Sequence, residues 1–317
     1  MQYLTEKFIK DLINEIDLHW GFEVYVVTKS EPYLKKMNFY EGKPDNFKIK
    51  LKEMVLQILA EKYGADDAKY VTINRLADEQ KKFYIIKTGN EYNPFSFLND
   101  FKTVSFSVKD INDATGVIFM LRCDQKLIWA YQHLWSIRIP NKSKKNCLAR
   151  IISANESDIF EEFTEPLITI AKNIDLLILG EFIITDNYKL LENYFSFQDY
   201  IRKSAKEVVR KIDSKGLIVS KNKLIDYINR NKIKYSKKIM RIADSMVLNL
   251  PLDELLANIH KSNRWNGKIK EENGKFLINT YSQVEYLIDL LDERYTKSDI
   301  TGVEYDTSVK QVIQSDI

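Results

Sequence analysis

The spacing of apolar residues in this chain changes once, near residues 187–196, and that change limits what it can fold into. Before it come short β-rich runs: Phe22–Val27, Lys82–Lys87, Gly116–Arg122, Lys126–Tyr131, Pro166–Ala171, Ile174–Leu179 and Phe182–Thr185. After Asp186 the pattern has helical spacing and stays helical. Strands followed by helices, rather than alternating with them, predict an α+β fold. The expected layout is a mixed N-terminal part with β-hairpins over 1–186 and a basic helical part over 187–317. No Gly/Ser linker separates them, so the two parts are free to share a core.

Local signals fill in the layout. Phe8, Ile9, Leu12, Ile13 and Ile16 predict a helix over 5–17, and Leu51–Tyr63 a second, stopped by Gly64. Cys123-Asp124-Gln125 and Gly180-Glu181 read as hairpin turns. Ser196 and Asp199 have the spacing of a capping box, and Ser220 and Ser236 are candidate N-caps. Leu250-Pro251 opens another helix, and Tyr281–Leu291 is the last clear one. The polar tail from Thr296 reads as irregular, and the acids Glu156, Asp158, Glu161 and Glu162 as a solvated helix.

Charge follows the same division. The 317 residues hold 48 basic and 45 acidic side chains, a net of +3. Residues 202–241 alone carry fourteen Lys or Arg against Glu207, Asp213 and Asp226, so the other 277 residues sum to −8. On a helix over 197–212, Phe197, Ile201, Ala205, Val208 and Ile212 share one face, while Lys203, Lys206 and Arg210 share the opposite one. Packing requires the first stripe and does not require the second to be of one sign. Lys211 continues the run. Lys221, Lys223 and Arg230 surround Leu224, Ile225 and Ile228. Lys234, Lys237, Lys238 and Arg241 gather near the start of the next helix, where cations oppose the macrodipole and a bound phosphate would relieve them. These residues are the candidate DNA-binding set, and backbone contacts of this kind predict largely sequence-independent binding. Tyr200, Tyr227 and Tyr235 lie among the cations and are placed to stack on bases, although core packing also suits Tyr200 and Tyr227. A helix-turn-helix is compatible with 221–246. The competing readings are a solvated lysine-rich surface and a docking face for an acidic protein.

Searches for chemistry return little. Gly267 to Gly274-Lys275 has the wrong spacing for a P-loop, and no CxxC, HExxH or GxSxG occurs. His19, His133 and His260 are isolated in sequence, and no catalytic residue, metal ligand or cofactor is expected. The alternative of a metal-dependent nuclease would rest on Asp175 and Glu181, but Ile183 stands where such a site wants a lysine. Two cysteines, Cys123 and Cys147, fit a reducing cytoplasm, and the longest apolar run is too short for a bilayer.

The segments GVIFMLRCDQKLIWAYQ (116–132), KNID (172–175) leading into LLILGEFIITDN, and YKLLENYFSFQDYIRKSAKEVVRKI (188–212) stand in a familiar order. A Tyr-Gln follows the first hydrophobic hairpin, an Ile-Asp opens the second, and a Phe-centred segment leads into a long basic helix. Together with ADSMVL and ERYTKSDITG, these resemble the Kiwa anti-phage defence protein B family over roughly residues 100–310. The resemblance implies a cytoplasmic, non-enzymatic DNA-binding effector. It also implies homodimerisation and a partnership with membrane protein A of the Kiwa system, which would recruit the chain to the inner face of the cell membrane. It assigns no individual binding residue, so the lysines and arginines named above rest on charge geometry alone.

Overall fold

The computed structural model describes residues 4–31, 33–39, 47–72, 82–89, 92–99, 104–134, 148–152, 158–162, 170–230, 233–262, 265–293, 295–297 and 304–306. It is α+β, with two compact units: Met1–Val71 with Lys81–Tyr188, and Thr72–Gln80 with Lys189–Ile317.

The first unit is built on a nine-stranded sheet. Its strands are β1 (Gly21–Thr28), β2 (Leu34–Lys36), β3 (Lys69–Thr72), β4 (Lys82–Lys87), β5 (Val104–Ser105), β6 (Ala114–Cys123) and β7 (Lys126–His133). After β8 (Leu148–Ile152) and β9 (Asp158–Glu162), which pair with each other, β10 (Leu176–Leu179) and β11 (Phe182–Thr185) complete it. The order is β3-β4-β11-β10-β7-β6-β1-β2-β5, with β2 and β5 parallel. β6 and β7 form the expected hairpin, turning through Asp124 at φ 51° and Gln125. Helix α1 (Glu6–Asn14) is capped by Thr5, whose hydroxyl accepts from the Phe8 N–H (3.2 Å). It stops before residue 17, because Asp17 accepts from the His19 N–H (2.7 Å) and turns the chain. Helix α2 (Phe47–Ile58) widens into a π-turn over Leu59–Tyr63, where the Gly64 N–H donates to the Leu59 carbonyl five residues back (2.9 Å). Ile9, Val55, Leu59, Tyr63, Val117, Phe119 and Ala130 belong to the core of this unit.

Two expectations are corrected here. Asp158, Glu161 and Glu162 lie in strand β9 rather than a helix, because Ile159 and Phe160 pair across to Ile151 and Arg150. Residues 166–169 of the Pro166–Ala171 run lie outside the described residues, and Ile170 and Ala171 are not in a strand.

The second unit holds α3 (Tyr188–Tyr194), whose first residue belongs to the first unit, then α4 (Phe197–Ser214), α5 (Asn222–Asn229), α6 (Ile233–Arg241), α7 (Leu252–Lys261) and α8 (Tyr281–Leu291). Its core gathers Val209, Ile212, Leu224, Ile239, Phe276, Leu287 and Trp265. The pattern is not purely helical, however. β12 (Lys270–Glu272) and β13 (Lys275–Leu277) make a hairpin, and β14 (Tyr295–Lys297) and β15 (Glu304–Asp306) pair within the tail expected to be irregular. Ser196 precedes α4 at φ 53° and its side chain makes no capping bond, so the predicted capping box does not form. Ser220 accepts from the Asn222 N–H (3.2 Å) and supports the start of α5. Ser236 is not a cap. It lies inside α6 on the buried stripe Ser236, Ile239, Met240, whose i, i+3, i+4 spacing carries it into the core.

Candidate nucleic-acid interface

Helix α4 buries Phe197, Ile201, Ala205, Val208, Val209 and Ile212. Lys203, Lys206 and Arg210 are exposed. Lys203 and Lys206 have no ion pair among the described residues, and Arg210 pairs with Glu207 one turn away. This outward stripe is the least compensated cationic surface of the helix.

The remaining cations divide by what they touch. Lys211 donates to the Ala243 carbonyl (2.9 Å), and Lys215 donates to that of Leu248, so both satisfy carbonyls at the ends of short 3₁₀ turns. Lys221 pairs with Asp213 (2.7 Å). On α6, Lys237 meets Glu192 (2.5 Å), Lys238 meets Glu285, and Arg241 lies 3.7 Å from Asp292. Those acids come from α3, α8 and the residue after α8, so they lie outside the forty-residue window in which the charge was counted. Among the α6 cations only Lys234 is exposed. A recognition helix needs a free face for base edges, and α6 does not present one.

A third group sits on tyrosines. Lys223 Nζ lies 4.6 Å from the Tyr281 ring centroid, and Lys234 Nζ 5.1 Å from that of Tyr235. The Arg230 guanidinium bridges both rings, at 4.4 Å from Tyr281 and 4.7 Å from Tyr235. Tyr227 is fully buried between them, 4.6 Å from Tyr235 and 6.2 Å from Tyr281. Its hydroxyl donates to Glu285, which also accepts from Lys238. Burial would raise the Glu285 carboxyl, but those two hydrogen bonds outweigh it and hold the pKa below the usual range. Burial together with Glu285 pushes the Tyr227 phenol up. Tyr200 stacks on Phe197 (5.3 Å). Charge counting missed Tyr281 and Glu285, although the capping box Thr280–Gln283 marks this helix start in the sequence.

The alternative acidic pair is not assembled. Asp175 stands before β10 and Glu181 in the turn after it, a strand's length apart, or about 13 Å. Glu181 pairs with Lys87 (3.3 Å). Asp175 is buried and accepts from the His133 N–H (2.7 Å) and the Asn173 amide (2.8 Å). Burial raises its pKa. Beside it the Gln132 amide donates to the carbonyls of Ala171 and Asn173 (2.7 Å each) and accepts from the Ala171 N–H (3.1 Å). These residues form a latch between β7 and the segment entering β10. Among the described residues no group of three or more His, Cys, Asp or Glu side chains could hold a metal ion.

Fold and surface together define an α+β protein whose helical unit carries an exposed stripe of cations on α4. The chain belongs to the Kiwa protein KwaB-like family, whose model matches residues 111–301. It is similar to the Kiwa protein KwaB of Escherichia coli O55:H7 (strain RM12579 / EPEC), with 21% identity over 197 residues, 61% of each chain. The match therefore spans about three fifths of that relative's length. No solved structure matches the chain. The family membership supports a role in anti-phage defence. No helix among the described residues is long and apolar enough to cross a membrane.

Proposed function

We propose that the chain is a non-catalytic DNA-binding effector of anti-phage defence that holds DNA through its helical unit, largely without regard to sequence. The observation that carries this reading is the exposed stripe of Lys203, Lys206 and Arg210 opposite six buried residues of α4. Two cations of one sign at i and i+4 oppose folding slightly, and a phosphate backbone turns that cost into affinity. By family resemblance the effector works as a homodimer in the cytoplasm and is recruited to the inner face of the cell membrane by protein A of the Kiwa system.

A gel shift across a salt series tests the DNA reading. Each neutralised phosphate contributes about −0.9 to the log–log salt slope, so reversing Lys203, Lys206 and Arg210 to Glu should weaken binding and flatten the slope by about 2 to 3. No binding at low salt, or binding indifferent to the triple reversal, would overturn it.

A further inference from the structure

Resting on the DNA-binding reading, we infer that the cluster of Tyr281, Tyr235, Arg230, Lys223 and Lys234 is a platform for an unpaired nucleobase, separate in its chemistry from the lysine stripe of α4.

A site for phosphate alone needs donors and positive charge. Here the cations are set over aromatic rings instead. Arg230 serves two rings at once, and Lys223 and Lys234 each serve one, at 4.4–5.1 Å from the centroids. Arg230 and Lys234 are exposed and make no direct ion pair among the described residues, although the Glu285 carboxylate acts on Lys234 at longer range, while Lys223 pairs with Asp226 at 3.9 Å. Three cations are thus gathered on two rings, two of them without a direct ion pair among the described residues. A purely structural cation–π contact would be complete with one cation and a covered ring, yet Tyr281 keeps 38% of its surface exposed.

The support beneath is rigid. Tyr227 is buried, packs on both rings, and is tied through Glu285 to Lys238. Tyr281 is fixed at the first turn of α8 by the Thr280–Gln283 capping box. A partly exposed tyrosine beside the exposed Arg230 and Lys234 suits a base with a free face, stacking on the ring or on the guanidinium plane, and an adjacent phosphate. In a duplex the faces are stacked on one another and only the edges are open, so the expected ligand is a single strand, a frayed end or a base out of the stack.

The test is fluorescence anisotropy with the full chain and three labelled probes: a single strand of about twenty nucleotides, its blunt duplex, and an abasic strand of equal length. The intact strand should bind more tightly than the abasic one, which carries the same phosphates. Tyr281→Ala should weaken the intact strand about fivefold or more and leave the abasic strand unchanged. Tyr281→Trp should keep the tighter binding. Unchanged abasic binding also reports that the variant is folded. Equal affinity for intact and abasic strands, or an equal loss on both in Tyr281→Ala, overturns the inference while leaving DNA binding through α4 standing. Failure of all three probes to bind at low salt overturns both.

Discussion

Gly116 shows how one residue is fixed by its neighbour. A Cβ built there would lie 2.3 Å from the Tyr131 ring, which is itself fully buried. Gly116→Ala should therefore destabilise the first unit by about 1–3 kcal/mol, read from denaturant midpoints. Glu285 gives a pH signature. Its folded pKa lies below its ordinary value of 4.5, so its contribution is complete above that value and is lost as pH falls through the lower folded pKa. Acid unfolding of the wild type should show this loss below pH 4.5, and Glu285→Gln should reduce the dependence. Asp175 has the opposite sign. Its raised pKa makes its contribution strongest below its ordinary value of 3.8 and weaker as pH rises through the folded value. Removing the side chain in Asp175→Ala leaves the His133 N–H and the Asn173 amide without their acceptor, at a cost of about 1–3 kcal/mol in thermal or chemical unfolding.

Among the elements, α4 carries five basic residues and α6 four, and they do different things with them. The α4 stripe was legible because apolar and basic residues separate cleanly on one wheel. The use of α6 was not, because Glu192, Glu285 and Asp292 reach it from distant parts of the chain. Ser236 was misread for a related reason: a serine at helix-start spacing looks like a cap until the buried stripe through Ile239 and Met240 is known. The β12–β13 hairpin was available in principle. Asn273 at φ 52° and Gly274 at φ 69° form the Asn-Gly turn that favours a tight hairpin, but its flanking strands are too short and charged to stand out. The different use of the cations has a measurable consequence. Lys237→Met leaves the largely buried Glu192 carboxylate without this ion pair and should cost up to about 3 kcal/mol of stability, with little change in DNA affinity. Lys203→Glu should do the reverse.

For the whole molecule, the α+β assignment followed from the order of strands and helices, and the β6–β7 and β10–β11 pairs followed from their turns. The sheet order did not, because β4 joins β11 and β1 joins β6 across long stretches of sequence. Net charge of +3 would suggest indifference to polyanions. The local distribution decides instead: a stripe on α4, a cluster on tyrosines, and paired cations elsewhere. DNA association should accordingly be steep in salt, with an on-rate that falls as the screening length shortens.

The Gln132–Asp175 latch has a further consequence for how the chain tolerates change. It pins the point where the backbone leaves β7 and the point where it returns to β10. Whatever lies between Leu134 and Ile170 is thereby relieved of setting the register of the sheet. Since doubling the length of a closed loop costs only about 0.6 kcal/mol, lengthening this connection without interrupting the β8–β9 pair should cost the sheet little. An insertion there should leave the unfolding midpoint nearly unchanged, provided that Gln132 is intact.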